Sequence, residues 1–283
     1  MSQHMSLRSQ LNAKRTLLVP GVYDALSSRI AQLCGFGAIY MTGYGTAASY
    51  GYPDLGLLTM SEMLENVRRI ASAVDIPLIA DADTGYGNPV NVYRTVREYE
   101  KAGAAAVQLE DQTWPKRCGF MEGKRVISSE EMVGKVKAAA DARLSSETLL
   151  VIRTDALKTH GFEEAICRAE MYAEAGADIL FVEAPTSEEQ VRKIPKLLGK
   201  PCLLNMAFGK EPLSLKTVEE MGYAIVIYPT VALVGAVEGA FRMCTSLMEG
   251  AQQPQPADLE LTFDQLNKIC KLAKFQELER KFV

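Results

Sequence analysis

A set of acidic side chains in this chain falls in one kind of place, immediately after short apolar runs. Asp81 and Asp83 end I-A-D-A-D-T-G-Y-G, Glu110 and Asp111 end Q-L-E-D-Q, Asp155 ends I-R-T-D, and Glu183 lies in F-V-E-A. Crowded carboxylates repel and are costly to bury without compensation. A hard divalent cation is the natural compensation. Magnesium takes oxygen ligands and keeps several waters, so one or two direct carboxylates suffice and the others can hold its waters. The competing reading treats these acids as helix N-caps and surface ion pairs. It accounts for any one of them more easily than for the set. Arg153 stands among the acids. Its guanidinium can take a carboxylate bidentately, or it can balance Glu110 or Glu183. The turn Thr42-Gly43-Tyr44-Gly45 offers backbone N–H groups to an anion.

Cys118 is the thiol that stands apart. It lies in P-K-R-C-G-F, a polar segment after Q-L-E-D-Q, with Lys116, Arg117 and Lys124 nearby. Cations favour the thiolate and make such a group tunable as a proton donor or acceptor. Gly119 and Gly123 suit a lid that closes over a substrate. The alternative is an incidental loop cysteine.

These residues need a scaffold that aims strand ends at one place. A unit recurs along the chain: a helical stretch, a small turn containing Gly, then a β-branched run. C-G-F-G-A-I-Y-M, A-G-A-A-A-V-Q-L, A-G-A-D-I-L-F-V and M-G-Y-A-I-V-I-Y are its instances. Glycine readily takes the left-handed conformation that ends a helix. Further runs at Leu17–Val19, Ile76–Asp81, Leu149–Arg153 and Cys202–Asn205 bring the strands to eight, each followed by a helical pattern. Near-continuous apolar strands are those of a parallel sheet covered on both faces. The pattern predicts a single (β/α)8 TIM-type barrel over residues 1–283. The doubly wound alternative gains no support, since neither G-x-G-x-x-G nor G-x-x-x-x-G-K-[ST] occurs. Residues 1–16 read as a short mobile arm. A last amphipathic segment within 259–283, Phe263 to Phe282, has no strand partner and is expected to pack on a neighbouring subunit.

Composition is that of a globular protein, with 48% hydrophobic and 23% charged residues. A net charge of -4 argues against nucleic acid or an acidic membrane as partner. No apolar run approaches the roughly 20 residues that span a bilayer, and the N-terminus lacks the apolar core of a secretory signal. The six cysteines include no C-x-x-C pair. They imply reduced thiols in a cytoplasmic protein, and all but Cys118 read as core residues.

At this point the motifs resemble the isocitrate lyase and phosphoenolpyruvate mutase superfamily. The matching stretches are V-P-G-V-Y-D-A-L-S, I-Y-M-T-G-Y-G, Y-P-D-L-G, D-A-D-T-G-Y-G-N, Q-L-E-D-Q-T-W-P-K-R-C-G-F, G-K-R-V-I-S, I-R-T-D-A, E-A-G-A-D and V-I-Y-P, from about Leu18 to Phe282. The branches most resembled are the 2-methylisocitrate and dimethylmalate lyases, the oxaloacetate hydrolases and carboxyphosphonoenolpyruvate mutase. The resemblance implies a terminal helix swapped between subunits and a homotetramer built from such dimers. It implies Mg²⁺, with Mn²⁺ as the alternative ion, held through Asp83 with Asp54, Asp81 and Glu110 around its waters. A small carboxylic-acid substrate would meet Thr42, Gly43, Tyr44, Arg153, Glu183 and Asn205, with Lys116 and Gly119 closing over it. Tyr40 is a candidate for proton transfer, and Cys118 would protonate the enolate left by retro-aldol cleavage of a 2-hydroxy acid. Oxaloacetate hydrolysis or decarboxylation, phosphonomutase chemistry and a non-catalytic sensor are the alternatives.

Two departures bear on the substrate. Phe120 stands where the lyase lid K-[KR]-C-G-H has His. After Asn205 the chain reads N-M-A-F-G-K-E-P, one residue shorter than the lyases' N-M-T-E-F-G-K-T-P, with Glu211 replacing Thr. An acid there disfavours a third carboxylate, so a substituted malate is expected over methylisocitrate.

Overall fold

The structure is a computed structural model that describes residues 5–13, 15–119, 121–206, 213–250 and 262–282. Eight strands run in chain order: β1 Leu17–Val22, β2 Ile39–Met41, β3 Leu78–Asp81, β4 Ala106–Glu110, β5 Leu149–Thr154, β6 Ile179–Val182, β7 Leu203–Asn205 and β8 Ile225–Tyr228. All pairings are parallel, in the order β6-β5-β4-β3-β2-β1-β8-β7. The bridge Leu180↔Cys202 joins β6 to β7 and brings the ends of the sheet together as a barrel.

Thirteen helices are described: α1 Leu7–Asn12, α2 Ala25–Leu33, α3 Gly43–Ser49, α4 Met60–Ala73, α5 Pro89–Lys101, α6 Ser129–Ala142, α7 Ala156–His160, α8 Phe162–Ala175, α9 Glu188–Leu197, α10 Leu215–Met221, α11 Val231–Met248, α12 Phe263–Ile269 and α13 Leu272–Phe282. Their starts are locally encoded. Asp24, Thr59 and Asn88 cap α2, α4 and α5 in reciprocal capping boxes, which satisfy amide groups that a helix cannot pair internally. Pro89 at the first turn of α5 costs no hydrogen bond there.

The core has two compartments. Between helices and sheet lie residues such as Met63, Val67, Ile70, Val136 and Tyr172. Inside the barrel lie Val19, Ile79, Ala106, Val151, Ile179, Phe181, Leu203, Ile225 and Ile227, with Tyr40 nearest the site. Strand side chains alternate faces, so the interior set advances in steps of two. Continued toward the strand C-termini, the same steps reach Asp81 from Ile79, Glu110 from Ala106, Arg153 from Val151, Glu183 from Phe181 and Asn205 from Leu203. The period that fills the barrel also delivers its chemistry to one end.

Several expectations change. Residues 7–12 of the supposed arm form α1, and Leu7 is buried in the barrel-interior cluster. The tail is two helices, broken at Lys271 with its φ of 59°. It touches its own barrel at α2, and Lys271 Nζ donates to Ala73 O at 3.3 Å. No exchange with a second chain is shown. Cys34, Cys167, Cys244 and Cys270 are exposed, leaving Cys202 as the fully buried thiol, pushed up to about 12 by burial. Lying on helices was no guarantee of facing the core. Helix α11 is long and apolar enough, by its 18 residues and composition, to cross a bilayer, contrary to the expectation that no segment is. It carries Glu238 and Arg242, and one face of it looks into the barrel mouth.

Candidate active site

A cavity of about 840 Å³ opens at the C-terminal end of the barrel. Its floor and one wall are polar: Tyr40, Thr42, Tyr44, Asp54, Asp81, Arg153, Glu183 and Asn205, with Lys116, Cys118 and Gly119 above. The opposite wall is mostly apolar, built from Pro229, Thr230 and, on α11, Leu233, Val234, Val237 and Phe241, with Glu238 as its one charged side chain among the described residues. Sequence reasoning missed this wall. Its signal was the helical spacing of 234, 237 and 241, which places the three side chains on one face of α11.

The acids form two groups. In the first, Asp81 Oδ1 accepts from Asp83 N at 3.0 Å and Gln108 Nε2 at 3.3 Å, and its Oδ2 accepts from Gly43 N at 3.2 Å. Asp83 has a left-handed backbone, φ 48°, which Asp tolerates better than most residues. Its buried Oδ1 lies 2.9 Å from Lys116 Nζ but lacks a well-aligned hydrogen bond. Burial, opposed by Lys116 and reinforced by Asp81 and Asp54, pushes the Asp83 carboxyl up to about 6. Lys116 Nζ also pairs with Asp54 at 2.6 Å. Burial lowers that ammonium's proton affinity, but Asp83 and Asp54 outweigh it and hold the lysine well above its ordinary value.

The donor set suits Mg²⁺. An under-satisfied buried carboxylate oxygen faces a second carboxylate, and an added Cβ at Gly43 would come within 2.7 Å of Asp81 Oδ2 and 3.4 Å of Asp83 Oδ1. Three acids close enough to enclose a cation are not found among the described residues. An ion that keeps several waters does not need them.

The second group surrounds Arg153. Its Nε and Nη2 donate to Asp155 at 2.8 Å each, Glu110 lies 3.4 Å from Nη1, and Glu183 lies 3.8 Å from Nε. The guanidinium also sits over the Phe181 ring, 5.3 Å from its centre. Burial pushes the Glu110 carboxyl well above its ordinary value, against the pull of Arg153. Asn205 Nδ2 donates to both oxygens of Glu183 at 3.3 Å, and among the described residues its buried Oδ1 has no hydrogen-bond partner.

Tyr40 OH donates to Gln108 Oε1 at 3.1 Å, with Asp81 Oδ2 at 3.4 Å. Burial first, then Asp81, pushes this phenol well above its ordinary value. It therefore stays protonated, able to donate a hydrogen bond but not to serve as a base. The Thr42–Gly45 turn is less open to an anion than its sequence suggests, because Gly43 N serves Asp81 and Gly45 N donates to Thr42 Oγ1 at 3.3 Å.

The lid segment after β4 is a hairpin stem, bridged antiparallel at Gln112↔Val126. Cys118 N donates to Asp54 O at 3.1 Å, which ties the lid to the loop after α3. Phe120 and residues 207–212, including Glu211, lie outside the described residues, so the two departures noted above have no structural counterpart here.

A family model described as phosphoenolpyruvate phosphomutase matches residues 7–248. A 2,3-dimethylmalate lyase from Eubacterium barkeri is 44% identical over 285 residues, covering 100% of this chain and 99% of that protein. A solved oxaloacetate acetylhydrolase, in complex with 3,3-difluorooxalacetate, superposes with a TM-score of 0.94 at 36% identity, covering 99% of this chain and 97% of that one. A phosphonopyruvate hydrolase in complex with oxalate and Mg²⁺ superposes with a TM-score of 0.89 at 31% identity, covering 100% and 99%.

Proposed function

We infer from this chain, which belongs to the phosphoenolpyruvate phosphomutase family and with it to the isocitrate lyase superfamily, a Mg²⁺-dependent lyase that cleaves a carbon–carbon bond of a substituted malate. The observation that carries the reading is the two-sided cavity. A charged wall of Arg153, Lys116, Asp54 and Asp81 suits the carboxylate and 2-oxygen of a hydroxy acid. The Leu233, Val234, Val237 and Phe241 side chains of the α11 wall suit alkyl substituents, and Glu238 among them disfavours a third carboxylate. The 44% identity to a dimethylmalate lyase supports the same choice.

Asp83, with Asp54, Asp81 and Glu110 about the ion's waters, would hold Mg²⁺, which supplies polarisation of the 2-oxygen and charge neutralisation for a developing enolate. Arg153 takes a substrate carboxylate, and Asn205 Oδ1 accepts a hydrogen bond that the described residues leave unmade. A buried carboxylate, rather than Tyr40, takes the hydroxyl proton. Tyr40 keeps its own proton and donates. The carbon–carbon bond then breaks, its electrons pass to the enolate, and Cys118 delivers the proton that completes the second acid. Gly119 must be small for the lid to seat, since an added Cβ would lie 2.6 Å from Arg153 Nη2 and 2.9 Å from Glu183 Oε1. Gly119→Ala is expected to lower kcat/KM by about a hundredfold with little change in melting temperature. Wild-type kinetics in that variant would remove the lid from the active complex.

The apolar faces on α11 and the tail are large. Phe241, Phe263 and Phe282 are 73%, 77% and 75% exposed, more than a single soluble chain leaves in water. They support association of copies of this chain through the terminal helices, and the proposed state is a homotetramer in the cytoplasm.

The test is product identification by NMR after incubation with Mg²⁺ and a panel of substituted malates, methylisocitrate, oxaloacetate and phosphonopyruvate. Chelator-sensitive cleavage of one malate into an oxo acid and a second acid is the expected outcome. Oxalate and acetate from oxaloacetate, with the malates untouched, would replace the lyase by a hydrolase.

A further inference from the structure

The lid carries a second buried lysine that the mechanism above does not use. Lys116 is on the outgoing leg of the hairpin and Lys124 on the return leg, which is fixed to the first by Thr113 N donating to Arg125 O at 2.9 Å. Lys124 Nζ donates to Asp155 Oδ1 at 2.6 Å, and its side chain is 2% exposed. The same Oδ1 accepts from Arg153 Nη2 at 2.8 Å. Asp155 is held from behind, its N–H donating to Asp111 Oδ1 at 2.8 Å. Asp111 Oδ2 in turn accepts from Thr154 at 2.7 Å and Tyr172 at 2.9 Å.

A carboxylate that grips a guanidinium at two points largely cancels its charge. Arg153 is gripped in this way and also faces Glu110 and Glu183. Left like that, it would attract an incoming anion weakly. Lys124 shares Oδ1 with Arg153 and so divides the Asp155 charge between two cations, in a buried setting where one added charge has a large effect. Burial alone would raise the Asp155 carboxyl, yet Arg153 and Lys124 outweigh burial and hold it below its ordinary value. So Asp155 stays ionised between two cations.

We propose that Lys124 is a positioning residue: through Asp155 it leaves Arg153 oriented but incompletely neutralised, so that the lid itself supplies the positive charge felt by the substrate carboxylate. This rests on Arg153 being the carboxylate-binding group of the proposed function. Two lid lysines then serve two sites, Lys116 the Asp54–Asp83 group and Lys124 the Arg153 group.

The experiment is calorimetric binding of oxalate at saturating Mg²⁺, with melting temperatures measured for each variant. Lys124→Met is expected to weaken oxalate by about tenfold or more, and Lys124→Arg to stay within about threefold of wild type. On the substrate the NMR panel identifies, the Met variant should raise KM far more than it lowers kcat. Adding Lys124→Met to Asp155→Asn should cost nothing further, because the lysine acts only through that carboxylate. The double variant also leaves no buried charge unpaired, so it reports even if the single Met variant does not fold. Unchanged oxalate binding in a folded Lys124→Met variant would overturn the proposal, as would a further tenfold loss in the double variant relative to Asp155→Asn. Arg153→Met separates the two readings. If it binds oxalate normally, the carboxylate role of Arg153 is wrong. If it loses oxalate while Lys124→Met does not, only the role of Lys124 is wrong.

Discussion

Asp83→Asn is expected to lose Mg²⁺-dependent turnover by about a thousandfold or more, while its metal-free form melts at or above the wild-type temperature. The two effects share one cause. Asp83 is buried beside Asp81 and Asp54, and its carboxyl is pushed up to about 6. The folded state then binds a proton that the unfolded state has released, so stability falls as pH rises from near 4 through 6 and stays lower at neutral pH. Asn keeps the shape, tolerates the left-handed backbone at φ 48°, and removes the charge. Ala would add backbone strain and confuse the result. In the wild type, Mg²⁺ should raise the melting temperature by binding the folded state alone. In the variant that rise should vanish. Retained turnover, or an undiminished Mg²⁺-induced shift, would sink the metal assignment.

The barrel was legible because its signals are local and repeated. Helix caps, Gly-bearing turns and apolar runs each depend on a few neighbouring residues, as the capping boxes of α2, α4 and α5 do. The strand-end residues were legible for a related reason. Asp81, Glu110, Arg153, Glu183 and Asn205 continue the inward step of two that starts with Ile79, Ala106, Val151, Phe181 and Leu203.

What the sequence hid depends on long-range geometry. Lys116 and Lys124 fall eight positions apart with no period linking them, and it is the pairing of the two hairpin legs, at Gln112–Val126 and Thr113–Arg125, that brings both to the site. The burial of Leu7 is decided by where the N-terminal segment meets the barrel, and that of the cysteines by which side of each helix packs. The pairing of Arg153 with Asp155, rather than with Glu110 or Glu183 alone, rests on a backbone held by Asp111.

Cys118→Ser is the second large effect, and it tests the chemistry rather than the scaffold. The thiol lines the cavity from the lid, with its backbone fixed by Asp54 O at 3.1 Å and by Met121 N, which donates to Cys118 O at 2.9 Å. Serine preserves that backbone and nearly the same volume, so oxalate affinity at saturating Mg²⁺ should change by no more than about threefold. A hydroxyl is a far weaker acid than a thiol, so protonation of the enolate should slow and kcat fall by about a hundredfold to ten-thousandfold. The enolate partner should then either reform substrate or take its proton from water. In D₂O with the variant, that second route would give deuterium on both faces of the new carbon centre, where the wild type labels one face. A large drop in kcat with single-face labelling would mean that another residue delivers the proton and that Cys118 only shapes the lid. Unchanged kcat would return Cys118 to an incidental loop residue. Either result would leave the metal and carboxylate assignments standing, because Asp83 and Arg153 are tested by charge and binding, and Cys118 by where a proton lands.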